Sequence, residues 1–209
     1  MILGLTGGMG CGKTTAARIF EQHGFRRVDS DALVRDRVLT APDIIAEARR
    51  RFGLQILAPA GGIDRPALAR LLFADETGAR LRAWEDLVLP RVLDHWRALL
   101  SAAHATHNTR WIIEAPLLHE KTLEKWFDFI VCVASSPATQ YARLAERGVT
   151  HALAAQRISR QMPLADKINK ADYVLTNDGS LEFLHDQIRH LIANLPTTHA
   201  THATTHATT

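Results

Sequence analysis

The chain has 209 residues, 46% of them hydrophobic and 22% charged. At about 100–200 residues per domain this is one domain's worth of chain, and so average a composition excludes a disulfide-stapled mini-protein, wholesale disorder and a membrane bundle. Twenty-five Lys and Arg against twenty-two Asp and Glu leave a net charge of +3, which suits an anionic small ligand and falls short of a nucleic-acid footprint, so no nucleic-acid partner is expected.

In chain order, residues 2–6 read as a short apolar strand, a glycine-rich turn follows, and residues 14–23 carry Ala17 and Phe20 toward one face of a helix that Gly24 ends. Residues 25–28 begin a second strand. The N-terminal segment lacks the basic region and longer apolar core of a signal peptide, and no run nears the roughly 18 apolar residues of a membrane span. A cytoplasmic protein with no membrane partner is therefore expected. Cys11 and Cys132 are the two cysteines; they make no disulfide framework and fit a reduced compartment.

Between residues 31 and 108 no segment reads strongly as strand. Helices are broken at Pro42, at Ala58-Pro59-Ala60-Gly61-Gly62 and at Pro66, the pattern of a helical insertion. Residues 111–113, 129–133 and 173–175 are further apolar runs, and strands alternating with helices predict a parallel α/β sheet. Residues 137 to about 170 are helical and carry Arg143, Arg147, Arg157, Arg160 and Lys167. That basic density is either a solvated face, which composition alone favours, or a mobile cover over an anionic ligand. Residues 196–209 repeat His-Ala-Thr with almost nothing to bury and are expected to be a disordered tail. Their histidines would face one metal only on a helix, which Thr-rich sequence forms poorly.

Gly7-Gly8-Met9-Gly10-Cys11-Gly12-Lys13-Thr14 fits G-x-x-x-x-G-K-[ST], after a strand and before a helix, where a phosphate-binding loop belongs. Its glycines let successive N–H groups turn toward phosphate oxygens, and the following helix adds its positive end. Lys13 is expected to bridge the terminal phosphates and Thr14 to place its hydroxyl on Mg²⁺. Cys11, near a helix N-terminus, is either a reactive thiol of lowered pKa or a small tolerated residue.

On the acceptor side, Asp29-Ser30-Asp31 stands at the carboxyl end of the second strand, the edge where α/β sheets bind ligands. One carboxylate caps the helix beginning near Ala32 and the other takes a hydroxyl proton, and the spacing does not say which is which. Arg35, one helical turn beyond Asp31, either pairs with it or clamps a substrate phosphate.

Taken together these residues resemble one family, the dephospho-coenzyme A kinases. The likeness runs through Leu5-Thr6-Gly7-Gly8, Gly10, Gly12-Lys13-Thr14, Asp29-Ser30-Asp31 with Arg35, and Gly62-Ile63-Asp64-Arg65 with Leu68. It continues in Pro116-Leu117-Leu118 with Glu120, Gln140 with Arg143-Leu144 and Arg147, Gln161-Met162-Pro163 with Lys167, and Ala171-Asp172-Tyr173-Val174-Leu175 with Asn177 and Gly179. The resemblance implies a P-loop kinase fold: three layers, a central five-stranded parallel sheet, a helical acceptor-binding insertion and a helical lid. The expected layout is a single domain over 1–195. Its core is 1–30, 109–137 and 171–195, its CoA-binding insertion about 31–108 and its lid about 138–170.

The implied reaction moves the γ-phosphoryl group of ATP to the ribose 3′-hydroxyl of dephospho-CoA, giving coenzyme A and ADP, with Mg²⁺ as cofactor. By resemblance Asp31 is the base, with Lys13 and Arg143 the other catalytic residues. Gly8, Met9, Gly10, Cys11, Gly12, Lys13, Thr14, Thr15, Arg143, Asn177 and Gly179 hold ATP, and Asp31, Arg35, Arg65 and Leu117 the acceptor. A monomer or weak homo-oligomer is expected. The sequence departs from the family at Leu89, where a histidine commonly precedes the proline, and at Ala134-Ser135-Ser136, where an acidic residue is frequent. Loss of a polar contact at Leu89 would weaken acceptor binding by on the order of 1–3 kcal/mol. The competing readings are a sibling kinase for another small acceptor, such as a nucleoside monophosphate, and a nucleotide-binding module without turnover.

Overall fold

The five predicted strands are all present in the computed structural model, which describes residues 1–104 and 109–196. Along the chain the elements are β1 (Ile2–Gly7), α1 (Lys13–Gln22), β2 (Phe25–Asp29), α2 (Ser30–Leu33), a π-helical turn (Val34–Val38), α3 (Pro42–Phe52), α4 (Arg65–Phe73) and α5 (Ala79–His104). Then follow β3 (Arg110–Glu114), β4 (Phe129–Ala134), α6 (Pro137–Glu146), α7 (His151–Ser159), α8 (Leu164–Lys170), β5 (Tyr173–Thr176) and α9 (Leu181–Asn194). The expected tail lies, from residue 197 on, outside the described residues.

The strands form one sheet in the order β2-β3-β1-β4-β5. β1 pairs in parallel with β3 and β4, and β4 in parallel with β5, so that Leu3 stands between Ile112 and Phe129. The inner strands β1, β3 and β4 are buried at every residue after the first, as strands covered on both faces must be. That burial is why their sequences run apolar instead of alternating. Leu3 and Leu5 pack with Ala16, Ala17 and Phe20 of α1 and Leu184 and Ile188 of α9. Gly4 faces the other way, where a Cβ would meet Leu118 and Phe127 at 2.7 Å. The α/β, P-loop kinase architecture expected from the sequence is present.

The described chain forms two compact units, residues 1–28 with 109–196, and residues 29–104. The second is helical and has its own core of Ala48, Phe52, Ile56, Leu68 and Leu72, with Trp84 edge-on to Phe52 at 5.9 Å. The predicted breaks are helix starts. Pro42 and Pro66 sit in the first turns of α3 and α4, where a missing N–H costs nothing. Residues 58–62 form a turn closed by a Leu57–Ile63 bridge. Leu89 is half-buried on α5, whose interior also holds Pro90.

Three expectations shift. α1 begins at Lys13 and the next helix at Ser30, two residues before Ala32. The helical stretch from 137 is three helices, interrupted after Arg147 by Gly148 at φ +75° and again at Pro163. Its basic residues are not all on a solvated face, because Lys167 is wholly buried. No described helix is long and apolar enough to cross a membrane.

Candidate active site

The loop between β1 and α1 turns at two left-handed positions, Gly10 (φ +80°) and Gly12 (φ +88°). Both are also crowded: a Cβ on Gly12 would lie 2.2 Å from Asn177 Nδ2, and one on Gly10 2.8 Å from the Gln140 carbonyl oxygen. Only glycine meets both conditions. Gly12 stands at the N-cap of α1 without a side-chain cap, so the helix turns its first amides to the loop as a site for an anion. Lys13 Nζ donates to the carbonyls of Gly7 (3.1 Å) and Gly8 (2.9 Å), which holds the ammonium over the loop it serves. Met9 is half-buried within the loop and Thr15 is exposed on the first turn of α1.

Thr14 Oγ1 donates to Glu114 Oε2 at 2.9 Å. Glu114 ends β3 and is 5% exposed; its other oxygen accepts from Arg27 Nε at 2.6 Å. Neither residue was among the expected site residues. The signal was an acidic side chain closing an apolar strand, Trp111-Ile112-Ile113-Glu114, at the sheet edge that binds ligands.

A second set of bonds braces the loop from behind. Asn177 Nδ2 donates to the Cys11 carbonyl at 2.8 Å, and the Asn177 carbonyl accepts from Ser135 Oγ (2.9 Å) and Arg143 Nη2 (2.8 Å). Arg143 Nη1 reaches the Gly10 carbonyl at 3.4 Å, and Gln140 Nε2 donates to the Ser135 carbonyl at 3.0 Å. Ser135, within the Ala134-Ser135-Ser136 segment, is therefore a buried link between the loop and α6. Asp178, exposed beside it, accepts from the backbone N–H of Ser136, the residue that caps α6. Hydrogen bonds from Thr139 and Ser136 hold its carboxyl below the usual range. Gly179 lies two residues beyond Asn177, against Phe183.

Burial pushes the Cys11 thiol up, against the opposing pull of Lys13, and the side chain is fully enclosed. Of the two readings of Cys11, burial supports the small tolerated residue: desolvation outweighs the pull of Lys13, and the thiol is a packed group.

In the second unit, Asp29 is the cap: its Oδ1 accepts from Ala32 N at 2.9 Å. Asp31 is exposed in the first turn of α2. Arg35 lies on the π-helical turn and makes a two-point contact with Asp36, Nε to Oδ1 at 2.6 Å and Nη2 to Oδ2 at 2.9 Å, while the charges of Asp29 and Asp31 also act on its guanidinium. The Arg35 guanidinium holds the Asp36 carboxyl low. Arg65 is exposed at the start of α4, which Asp64 caps. In the first unit, Leu117 is half-buried in the loop after β3.

Comparison with known proteins identifies the family. The family model for dephospho-CoA kinase matches residues 1–182. A dephospho-CoA kinase of Xanthomonas campestris is 38% identical, over 96% of each chain. A Thermus thermophilus protein of solved structure, TT1252, is 33% identical over 94% of this chain and 98% of its own, with a TM-score of 0.75. The dephospho-CoA kinase from Campylobacter jejuni, 18% identical over 92% of this chain and 95% of its own, shares the fold with a TM-score of 0.60.

Proposed function

The chain belongs to the dephospho-CoA kinase family, which catalyses the last step of coenzyme A biosynthesis, and from that premise we propose how its residues divide the work. The enzyme is a kinase that transfers phosphate from ATP to dephospho-CoA. The proposed product is the 3′-phosphate of the ribose, formed with release of ADP. What supports this reading is the family match together with an uncapped α1 N-terminus that carries Lys13 and Thr14 on its first turn.

In this proposal Gly8, Met9, Gly10, Cys11, Gly12 and Thr15 present the loop and helix amides to the ATP phosphates, while Lys13 neutralises the terminal ones. Arg143 adds positive charge to the transferred group, and Asn177 and Gly179 border the base. Asp31 orients the acceptor hydroxyl and takes its proton; Arg35, Arg65 and Leu117 hold the acceptor. Because phosphoryl transfer asks little covalent chemistry of the protein, positioning and charge carry the rate. Thr14 and Glu114 offer two hard oxygens 2.9 Å apart, a donor set that fits Mg²⁺, which takes one or two protein oxygens and completes its shell with phosphate and water. Mg²⁺ bound there would supply charge neutralisation to the phosphates.

The proposed layout is a core of 1–30, 109–137 and 171–195, an acceptor-binding insertion over 31–108 and a lid over 138–170, in a cytoplasmic monomer or weak homo-oligomer. The test is ADP release from MgATP with dephospho-CoA, with AMP and with no acceptor. Release only with dephospho-CoA is expected; release with AMP assigns a sibling kinase, and none at all assigns a binding module.

A further inference from the structure

Two motifs have no part in the chemistry above: Glu120, closing Pro116-Leu117-Leu118-His119-Glu120, and Lys167, following Gln161-Met162-Pro163. They meet. Lys167 Nζ, wholly buried on α8, donates to the Pro116 carbonyl at 2.7 Å and pairs with Glu120 Oε1 at 2.7 Å. The same carboxylate oxygen accepts the backbone N–H of Met162 at 2.9 Å. One ammonium and one carboxylate oxygen thus fasten the loop after β3 to the junction that opens α8.

Stability alone does not explain a buried ammonium at this position. Desolvating a cation is costly, and an apolar side chain of similar volume often serves a core as well or better. What the ammonium does that an apolar group cannot is hold a backbone carbonyl in place. That carbonyl belongs to Pro116, two residues after Glu114 and one before Leu117. We propose that Lys167 is a positioning residue for the acceptor, fixing the loop of residues 116–120 so that Leu117 keeps its place against dephospho-CoA, with Glu120 as the counter-charge that makes its burial tolerable. The inference rests on the acceptor role given to Leu117 above.

The test is steady-state kinetics on the double variant Lys167→Met/Glu120→Gln, which removes both charges together and leaves neither stranded. The expected result is a KM for dephospho-CoA raised about tenfold, the scale of one charge-assisted hydrogen bond, with the KM for ATP within twofold. Two unchanged KM values, or two that rise together, overturn the proposal, since a merely structural role would not separate them. If circular dichroism shows the double variant unfolded, the same split is read on Lys167→Met, whose side chain of similar length has no donor for the Pro116 carbonyl; equal wild-type KM values there overturn it too. Leu117→Ala separates the two readings. A raised acceptor KM in Leu117→Ala with none in the Lys167 variants defeats the positioning role alone, and the converse defeats the role of Leu117.

Discussion

The side-chain amide of Asn177 donates to the carbonyl oxygen of Cys11 at 2.8 Å, joining two residues 166 positions apart. The loop after β5 is thereby part of the phosphate loop's scaffold. Asn177 also takes Ser135 and Arg143 on its own carbonyl, so β1, β4, β5 and α6 converge on one side chain and its peptide. A phosphate cradle made of backbone amides has no side chains of its own to stiffen it, and an outside brace supplies that stiffness.

Asn177→Ala is therefore expected to raise the KM for ATP about tenfold, because it strips a buried carbonyl of a hydrogen bond worth roughly 1–3 kcal/mol when left unmade. Gly12→Ala is expected to be more damaging, since its Cβ would lie 2.2 Å from Asn177 Nδ2 at φ +88°. Combining the two relieves the steric part, so the double variant should lose less than the sum of the single losses. ATP titrations on the three variants check this; strict additivity would mean the two residues do not press on each other.

Lys13→Ala is expected to lower kcat by at least about a hundredfold, the scale of removing one preorganised charge from a transferring group. Its ammonium bonds to the loop carbonyls of Gly7 and Gly8, so circular dichroism on the variant should first show that the fold is kept. Near-normal turnover in a folded Lys13→Ala protein would contradict the phosphate-loop assignment.

The sheet was legible because periodicity and burial agree: inner parallel strands must be apolar throughout, and residues 129–133 are. The phosphate loop was legible because glycines at fixed spacing have a geometric cause, seen at Gly10 and Gly12. Glu114, Arg27 and Lys167 were not legible as partners, because an ion pair between distant residues leaves no local pattern. For Lys167 the composition pointed the wrong way. A lysine amid arginines on a helical stretch reads as solvated, and only the folded chain brings Pro116 and Glu120 to it. At Cys11 the sequence offered both readings, and the small packed one is supported by a burial that no local pattern shows.

The choice between the two aspartates has separable signatures. Asp29 accepts from Ala32 N at 2.9 Å as the cap of α2, so Asp29→Ala should cost about 1 kcal/mol of stability. Asp29→Asn should cost little, as asparagine caps equally well. Asp31→Asn should instead lower kcat far more than it alters ATP affinity, the mark of a group that acts on the acceptor hydroxyl. Urea midpoints and kcat on the three proteins decide; a kcat collapse in Asp29→Asn with Asp31→Asn unaffected reverses the assignment.

The buried thiols give a pH dependence whose sign follows from their shifts. Burial pushes Cys132 from the ordinary 9.0 up to about 11, and Cys11 shifts in the same direction for the same reason. Below pH 9 the thiol is protonated whether the chain is folded or not, and it contributes no pH dependence. As pH rises through the window between 9 and about 11, the unfolded chain releases the proton first, so the unfolded state binds fewer protons and stability falls. Cys132→Ala should flatten that fall, which compares urea midpoints at pH 8 and pH 10 against the parent and cancels the titration of lysines and tyrosines common to both. Both thiols should also resist a disulfide reagent in the native protein and react fully in denaturant, because the thiolate is the nucleophile and the fold suppresses it. A native Cys11 that reacts at the rate of a free thiol, with ATP protecting it, would restore the reactive reading that burial now excludes.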